Sequence, residues 1–290
     1  MFRAATLLAL FVCTFTAMAQ TEPSSPAPIE RRDPVLDVAS SEIGRALFLR
    51  CMCSEDNLGF DTQGRLPADM RIKKVDWTLA AVNVQKVERK SPNAIELDGV
   101  RVFIHFAADR HEFERRPQKD EAMRITVADN GDPKSFERAL GAMFAIGIDR
   151  GLQQSMPAFW QHYFEPQLAW PTDSPDALTG QTILTPGTSD RIASGQAPAD
   201  PAIAHKATPE YTTQAEHDRI QGVVVVRFVV DTEGIPRRIA VQLPLGYGLD
   251  EKAVAAAGKL RFTPEMLNGA PVPVNTVIRV EFVLPPGPRR

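Results

Sequence analysis

The apolar positions of this chain change period several times, and each change predicts an element. In the run Gly-Val-Val-Val-Val-Arg-Phe-Val-Val at 222–230, Val224, Val226, Phe228 and Val230 fall on one face and Val223, Val225, Arg227 and Val229 on the other. A period of two in β-branched residues predicts a strand. Asp231-Thr232-Glu233-Gly234 is a turn signal. Beyond it Ile239, Val241 and Leu243 alternate with Arg238, Ala240 and Gln242, as a strand with one solvated face requires, so the pair reads as a hairpin. The period then lengthens. Leu249, Ala253, Ala256 and Leu260 form a helical stripe, with Asp250 as the expected N-cap and Leu249 and Val254 as a hydrophobic staple. Phe262-Thr263-Pro264 ends that helix, Asn268-Gly269 is a turn, and 276–284 is a last strand with Ile278, Val280, Phe282 and Leu284 inward. With a short helix expected over 211–220, the order predicts an α+β domain at 207–290: a three-stranded antiparallel sheet backed by one or two helices.

Upstream, 35–165 reads as a strand-rich domain with a helix. Residues 39–50 predict a helix or a strand, and 77–86 and 123–128 predict strands. Residues 94–97 and 100–106 flank Asp98-Gly99, which suggests a hairpin turning there. Phe136, Leu140, Phe144 and Ile148 are spaced by four, predicting a helix over 135–148 capped by Asp132 or Ser135. Between the two domains, Pro166, Pro171, Pro175, Pro186, Pro198 and Pro201 punctuate a polar stretch, 166–206, with linker composition. As a coil it would reach roughly 35–40 Å, a tether that lets the last domain search for a partner away from the first. At the N-terminus, Arg3, an apolar run over 4–15 and Ala17-Met18-Ala19 predict a signal peptide at 1–19, below the length that spans a bilayer. A Ser/Pro-rich lead-in at 20–34, expected to be disordered, follows. The mature chain is expected in the periplasm, membrane-associated only if the leader is retained.

Composition narrows the chemistry. Charged residues are 24% of the chain and the net charge is −3, which leaves no basic footprint for nucleic acid or anionic lipid. No catalytic constellation is legible and the chain is read as a non-enzyme: the five histidines show no metal-binding spacing, and no phosphate-cradling glycine loop is present. His105 and His111 beside Glu112 and Glu114 come nearest to a ligand cluster and read as a charged, solvated loop, so no metal or other cofactor is expected. Cys51 and Cys53 read first as small buried or half-buried side chains, because i and i+2 of an extended strand sit near the upper geometric limit for bridging, with a strained or an intermolecular disulfide as the open alternatives.

The spaced residues of the last domain carry a resemblance. Pro209-x-Tyr211, Ile220-x-Gly222, the strand ending in Asp231-x-x-Gly234, Gly248-Leu249-Asp250-x-x-Ala253, Arg261-Phe262-x-Pro264, Asn268-Gly269-x-Pro271-Val272 and Phe282-x-Leu284 resemble the TonB C-terminal domain family. Thr212 stands where the family often has proline, and Arg261 where tryptophan is common. The resemblance implies docking on an extended, periplasm-facing segment of an outer-membrane TonB-dependent receptor or transporter by strand addition, in support of transmembrane transport. If the last strand is an edge, Val277, Arg279, Glu281 and Val283 flank the incoming peptide. An inner-membrane motor complex and a homodimer stay open as further partners. The alternative is a soluble periplasmic docking or envelope-scaffolding protein with no energy-transducing role.

Overall fold

The computed structural model describes residues 32–170, 178, 180–186 and 201–285. The predicted leader, nearly all of the lead-in and much of the predicted linker lie outside the described residues. Helix α1 (Pro34–Ser40) buries Val35 and Ala39, four apart on one face. Strands β1 (Leu47–Leu49) and β2 (Asn57–Phe60) precede a single 3-10 turn at Trp77–Leu79. Three long strands follow: β3 (Ala81–Ser91), β4 (Ala94–Ala107) and β5 (Glu112–Ala128). Then come α2 (Pro133–Met143), β6 (Phe144–Ile146), α3 (Arg150–Ser155) and α4 (Ala158–Phe164). The strands form one sheet in the order β2-β5-β4-β3-β1-β6, antiparallel except for the β2–β5 pair.

Three local expectations are corrected here. β4 runs unbroken through Asp98 and Gly99, and the chain turns instead at Pro92-Asn93 and at 108–111. Gly99 serves a close approach: a Cβ there would lie 2.3 Å from the Asn83 carbonyl oxygen of β3, where the register slips. Helix α2 is capped by Asp132, whose carboxylate accepts from the backbone N–H groups of Lys134 and Ser135. It stops at Met143, and Phe144 turns extended to pair with Leu49. Cys51 and Cys53 are joined by a disulfide. Met52 between them is left-handed, with φ 47°, so the chain is not extended there and the two Cα atoms are 5.3 Å apart, within bridging range.

The last part of the chain holds β7 (Ile203–His205), α5 (Thr213–His217), β8 (Gly222–Val230), β9 (Pro236–Leu243), α6 (Leu249–Lys259), β10 (Arg261–Phe262), β11 (Glu265–Leu267), β12 (Ala270–Val272) and β13 (Val274–Phe282). The α+β expectation holds: β13-β8-β9 is a three-stranded antiparallel sheet, and α6 buries Leu249, Ala253 and Ala257 in one cluster with Val224, Val226 and Phe228. Two details differ. Bulges in β9, one at the left-handed Arg238, break its alternation, so Ala240 and Val241 are buried while Ile239 and Leu243 are half-buried. Helix α6 starts at Leu249 behind Gly248, and Asp250 does not cap it; its carboxylate accepts from the N–H groups of Leu245 and Gly246, both at 2.8 Å, and so closes the preceding loop.

The two regions are docked, which overturns the free tether. β3 covers β4 only as far as Val102. Beyond that point Tyr247 N–H donates to the Ile104 carbonyl at 2.9 Å and Phe106 N–H donates to the Leu245 carbonyl at 3.0 Å. Gly248 N–H donates to Thr78 Oγ1 at 2.8 Å. Phe103, Ile104, Trp77 and Leu79 share a single buried cluster with Val224, Val226, Tyr247 and Leu249. The physical reason is apolar area: each sheet brings a face that neither can bury alone.

Candidate functional site

The outer edge of β13 is the feature best suited to meet a partner. β8 pairs with β13 along its whole length, from Val274↔Val230 to Phe282↔Gly222. The opposite edge of the sheet, β9, lies against α4, and Arg227 of β8 reaches the His162 carbonyl at 3.1 Å. On its own outer side β13 exchanges backbone hydrogen bonds, among the described residues, with one short piece of chain. Leu184 forms a parallel bridge with Val274: its N–H donates to the Pro273 carbonyl at 3.0 Å, and Asn275 N–H donates back to the Leu184 carbonyl at 2.8 Å.

That bridge sets the parity of the edge. Because the Asn275 N–H points away from β8, so do the backbone polar groups of Val277, Arg279 and Glu281. The side chains of these same residues are exposed, while Thr276, Val280 and Phe282 are buried. The structure therefore brings all four predicted partner-facing residues to one edge: three on β13, and Val283 just past its end, 69% exposed. Across the sheet Val277 faces Arg227, Arg279 faces Val225 and Glu281 faces Val223. Among the described residues neither Arg279 nor Glu281 forms an ion pair, so both charges are available to an added strand.

Beside the edge is a groove of about 360 Å³, lined by Trp170, Ile183, Thr185, Arg227, Asn275 and Val277 among others. Trp170 stacks on buried His162 with ring centroids 3.6 Å apart. Burial, and secondarily the Arg227 charge, pushes the His162 imidazole down, towards its neutral form. Sequence reasoning missed both Trp170 and 183–185. The only signal was a short Ile-Leu-Thr run inside proline-rich chain.

Among the described residues, the other polar clusters are held in ring contacts and ion pairs. His105 lies against Tyr247 and His111 against Phe106, while Glu114 pairs with Arg110 and Arg116. Carboxylate oxygens of Glu88, Glu96 and Asp98 lie within 4.8 Å of one another. Lys86, Lys90 and Arg124 meet them, making a balanced ion-pair network on the sheet face. No helix among the described residues is long and apolar enough to cross a membrane.

Two buried carboxylates sit where the regions dock. Asp76 accepts from Thr78 N–H, Thr78 Oγ1 and Trp160 Nε1, and burial raises its pKa. Burial, reinforced by the negative charge of Asp76, pushes Asp250 up to about 8 against the pull of its two N–H donors. The folded state therefore holds a proton on Asp250 that the unfolded chain releases near its ordinary value of 3.8. The associated stability is complete below that value and is lost as pH rises towards about 8. Urea midpoints are expected to fall between pH 5 and pH 8.5, with a flatter profile in Asp250→Asn. An equal slope in both proteins would refute the assignment.

Residues 207–284 match the family model of the Gram-negative bacterial TonB protein C-terminal, and this domain belongs to that family. The family is a non-enzymatic interaction domain of Gram-negative envelope proteins. Comparison with curated proteins returns no match.

Proposed function

We propose, with the TonB C-terminal family assignment of residues 207–284 as premise, that the protein docks on extended, periplasm-facing segments of outer-membrane TonB-dependent transporters and so supports transmembrane transport. The observation that carries this reading is the β13 edge, where Val277, Arg279 and Glu281 present outward backbone groups and exposed side chains. An incoming strand gains affinity from main-chain hydrogen bonds and register from alternate side chains. Its work is binding rather than catalysis, and its place is the periplasm.

The parity of β13 supplies the test. Arg279→Pro removes an outward N–H while leaving the ladder to β8 intact, since proline is tolerated where an edge strand faces solvent. Ile278→Pro, one residue earlier, removes an N–H that bonds to β8 and should unfold the strand. The full chain is expected to retain outer-membrane receptors in a pull-down and Arg279→Pro to lose that retention, with an unchanged thermal midpoint. Retention by Arg279→Pro equal to wild type would show that partners bind elsewhere.

One observation favours a second reading. The inner face of the C-terminal sheet and its β9 edge are covered by the first region, so the domain is built into a larger body. That suits a soluble docking or envelope-scaffolding protein that presents the β13 edge without transducing force.

A further inference from the structure

We infer that residues 183–185 act as a built-in competitor on the β13 edge: the chain's own strand holds the first rung of the ladder, and a partner strand has to displace it or stop short of it. The inference rests on the docking reading above for the identity of the competing strand, and concerns the regulation of that same edge.

Leu184 exchanges two backbone hydrogen bonds with β13, at Pro273 and Asn275. A third contact fastens it, from Asn275 Nδ2 to Thr185 Oγ1 at 2.9 Å. The side chains alternate as a strand requires: Leu184 is buried, while Ile183 and Thr185 are half-buried and line the groove beside Val277 and Arg227. The segment is thus seated by backbone, side-chain and apolar contacts together.

The sequence also explains why the self-strand goes no further. In a parallel ladder the next rung would need the N–H of residue 186 to reach the Asn275 carbonyl, and Val277 N–H to reach the carbonyl of 186. Residue 186 is proline and has no N–H. Self-pairing therefore stops at this rung, and among the described residues no backbone hydrogen bond is made on the outer side of Val277, Arg279 or Glu281. A single rung is weak enough to displace, yet it covers the start of the edge and narrows the stretch that a partner can use.

Two variants of the full chain move the contact in opposite directions. Leu184→Asp places a charge in a buried position and should release the segment, whereas Pro186→Val restores the missing donor and should lengthen the self-strand. Amide exchange reads the pairing directly: the Asn275 N–H is expected to lose about ten-fold protection in Leu184→Asp. Val277 N–H should gain protection in Pro186→Val, and Val280 N–H, which faces β8, should stay constant in both. Access to the edge is read with a synthetic peptide of residues 181–188 carrying valine at the position of Pro186. It should bind Leu184→Asp about ten-fold more tightly than wild type, and Pro186→Val more weakly. Equal peptide affinity in all three proteins, or unchanged Asn275 exchange in Leu184→Asp, would overturn the inference. Neither readout uses a receptor, so failure of receptor retention alone counts against the docking reading and not against self-pairing.

Discussion

Gly246→Ala is expected to destabilise the folded chain by about 3 kcal/mol or more, measured by urea denaturation. Gly246 has φ +90°, a conformation that L side chains rarely adopt, and a Cβ there would lie 2.1 Å from the Ile104 carbonyl oxygen and 2.9 Å from the His105 Cα. Both obstacles are backbone of β4, and neither can swing aside as a flexible side chain does. Relief would require the 245–247 loop to lift away, breaking the Tyr247–Ile104 and Phe106–Leu245 hydrogen bonds and exposing the apolar cluster behind them. Gly269→Ala is the control for backbone strain alone. It shares a positive φ, +80°, but has nothing within 4 Å of the new Cβ, so its cost should be about 1 kcal/mol. Equal stability losses in the two variants would show that the tight docking of 245–247 on β4 contributes nothing.

Arg101→Met is expected to cost about 3–5 kcal/mol, again by urea denaturation. The Arg101 side chain is 4% exposed, which is unusual for a cation, and its donors are fully used. Nη2 donates to the carbonyls of Ser54 and Glu55 at 2.6 and 2.7 Å, Nη1 to those of Cys53 and Leu79 at 3.3 and 3.5 Å, and Nε to Asp56 Oδ1 at 3.0 Å. A methionine fills similar space but leaves those carbonyls without a donor. Arg101→Lys should not rescue, because a single ammonium cannot reproduce the planar fork. Asp56→Ala should cost less than about 1 kcal/mol, since that carboxylate is 59% exposed and the carbonyl contacts remain. A large loss in Asp56→Ala with a small one in Arg101→Met would reverse the assignment of the anchor.

The elements whose hydrogen bonds and apolar faces are settled locally were legible in the chain. The alternation at 222–230, the helical stripe of Leu249, Ala253 and Ala256, and the Asp132 cap all appear where expected. The exposure of Val277, Arg279 and Glu281 between buried Thr276, Val280 and Phe282 follows the same logic, because a period of two assigns side-chain faces without knowledge of the neighbours. Signals with two physical meanings were not resolved. A glycine after aspartate marks a turn or a close approach, and only the neighbouring strand showed that Gly99 makes room for Asn83. The carboxylate of Asp250 suited a helix cap equally well, until the 245–246 loop was found folded over it.

By itself, then, the sequence determined the C-terminal sheet, the helix on its inner face and the residues that line its last strand, since each depends on residues close along the chain. Tertiary structure decided which edge stays open and how far. That outcome depends on α4 lying along β9, on Leu245–Tyr247 completing β4, and on Leu184 crossing to Val274. These are contacts between backbone groups far apart in sequence, and main-chain donors and acceptors are the same at every residue. No side-chain pattern records their pairing, except where a proline such as Pro186 takes a donor away.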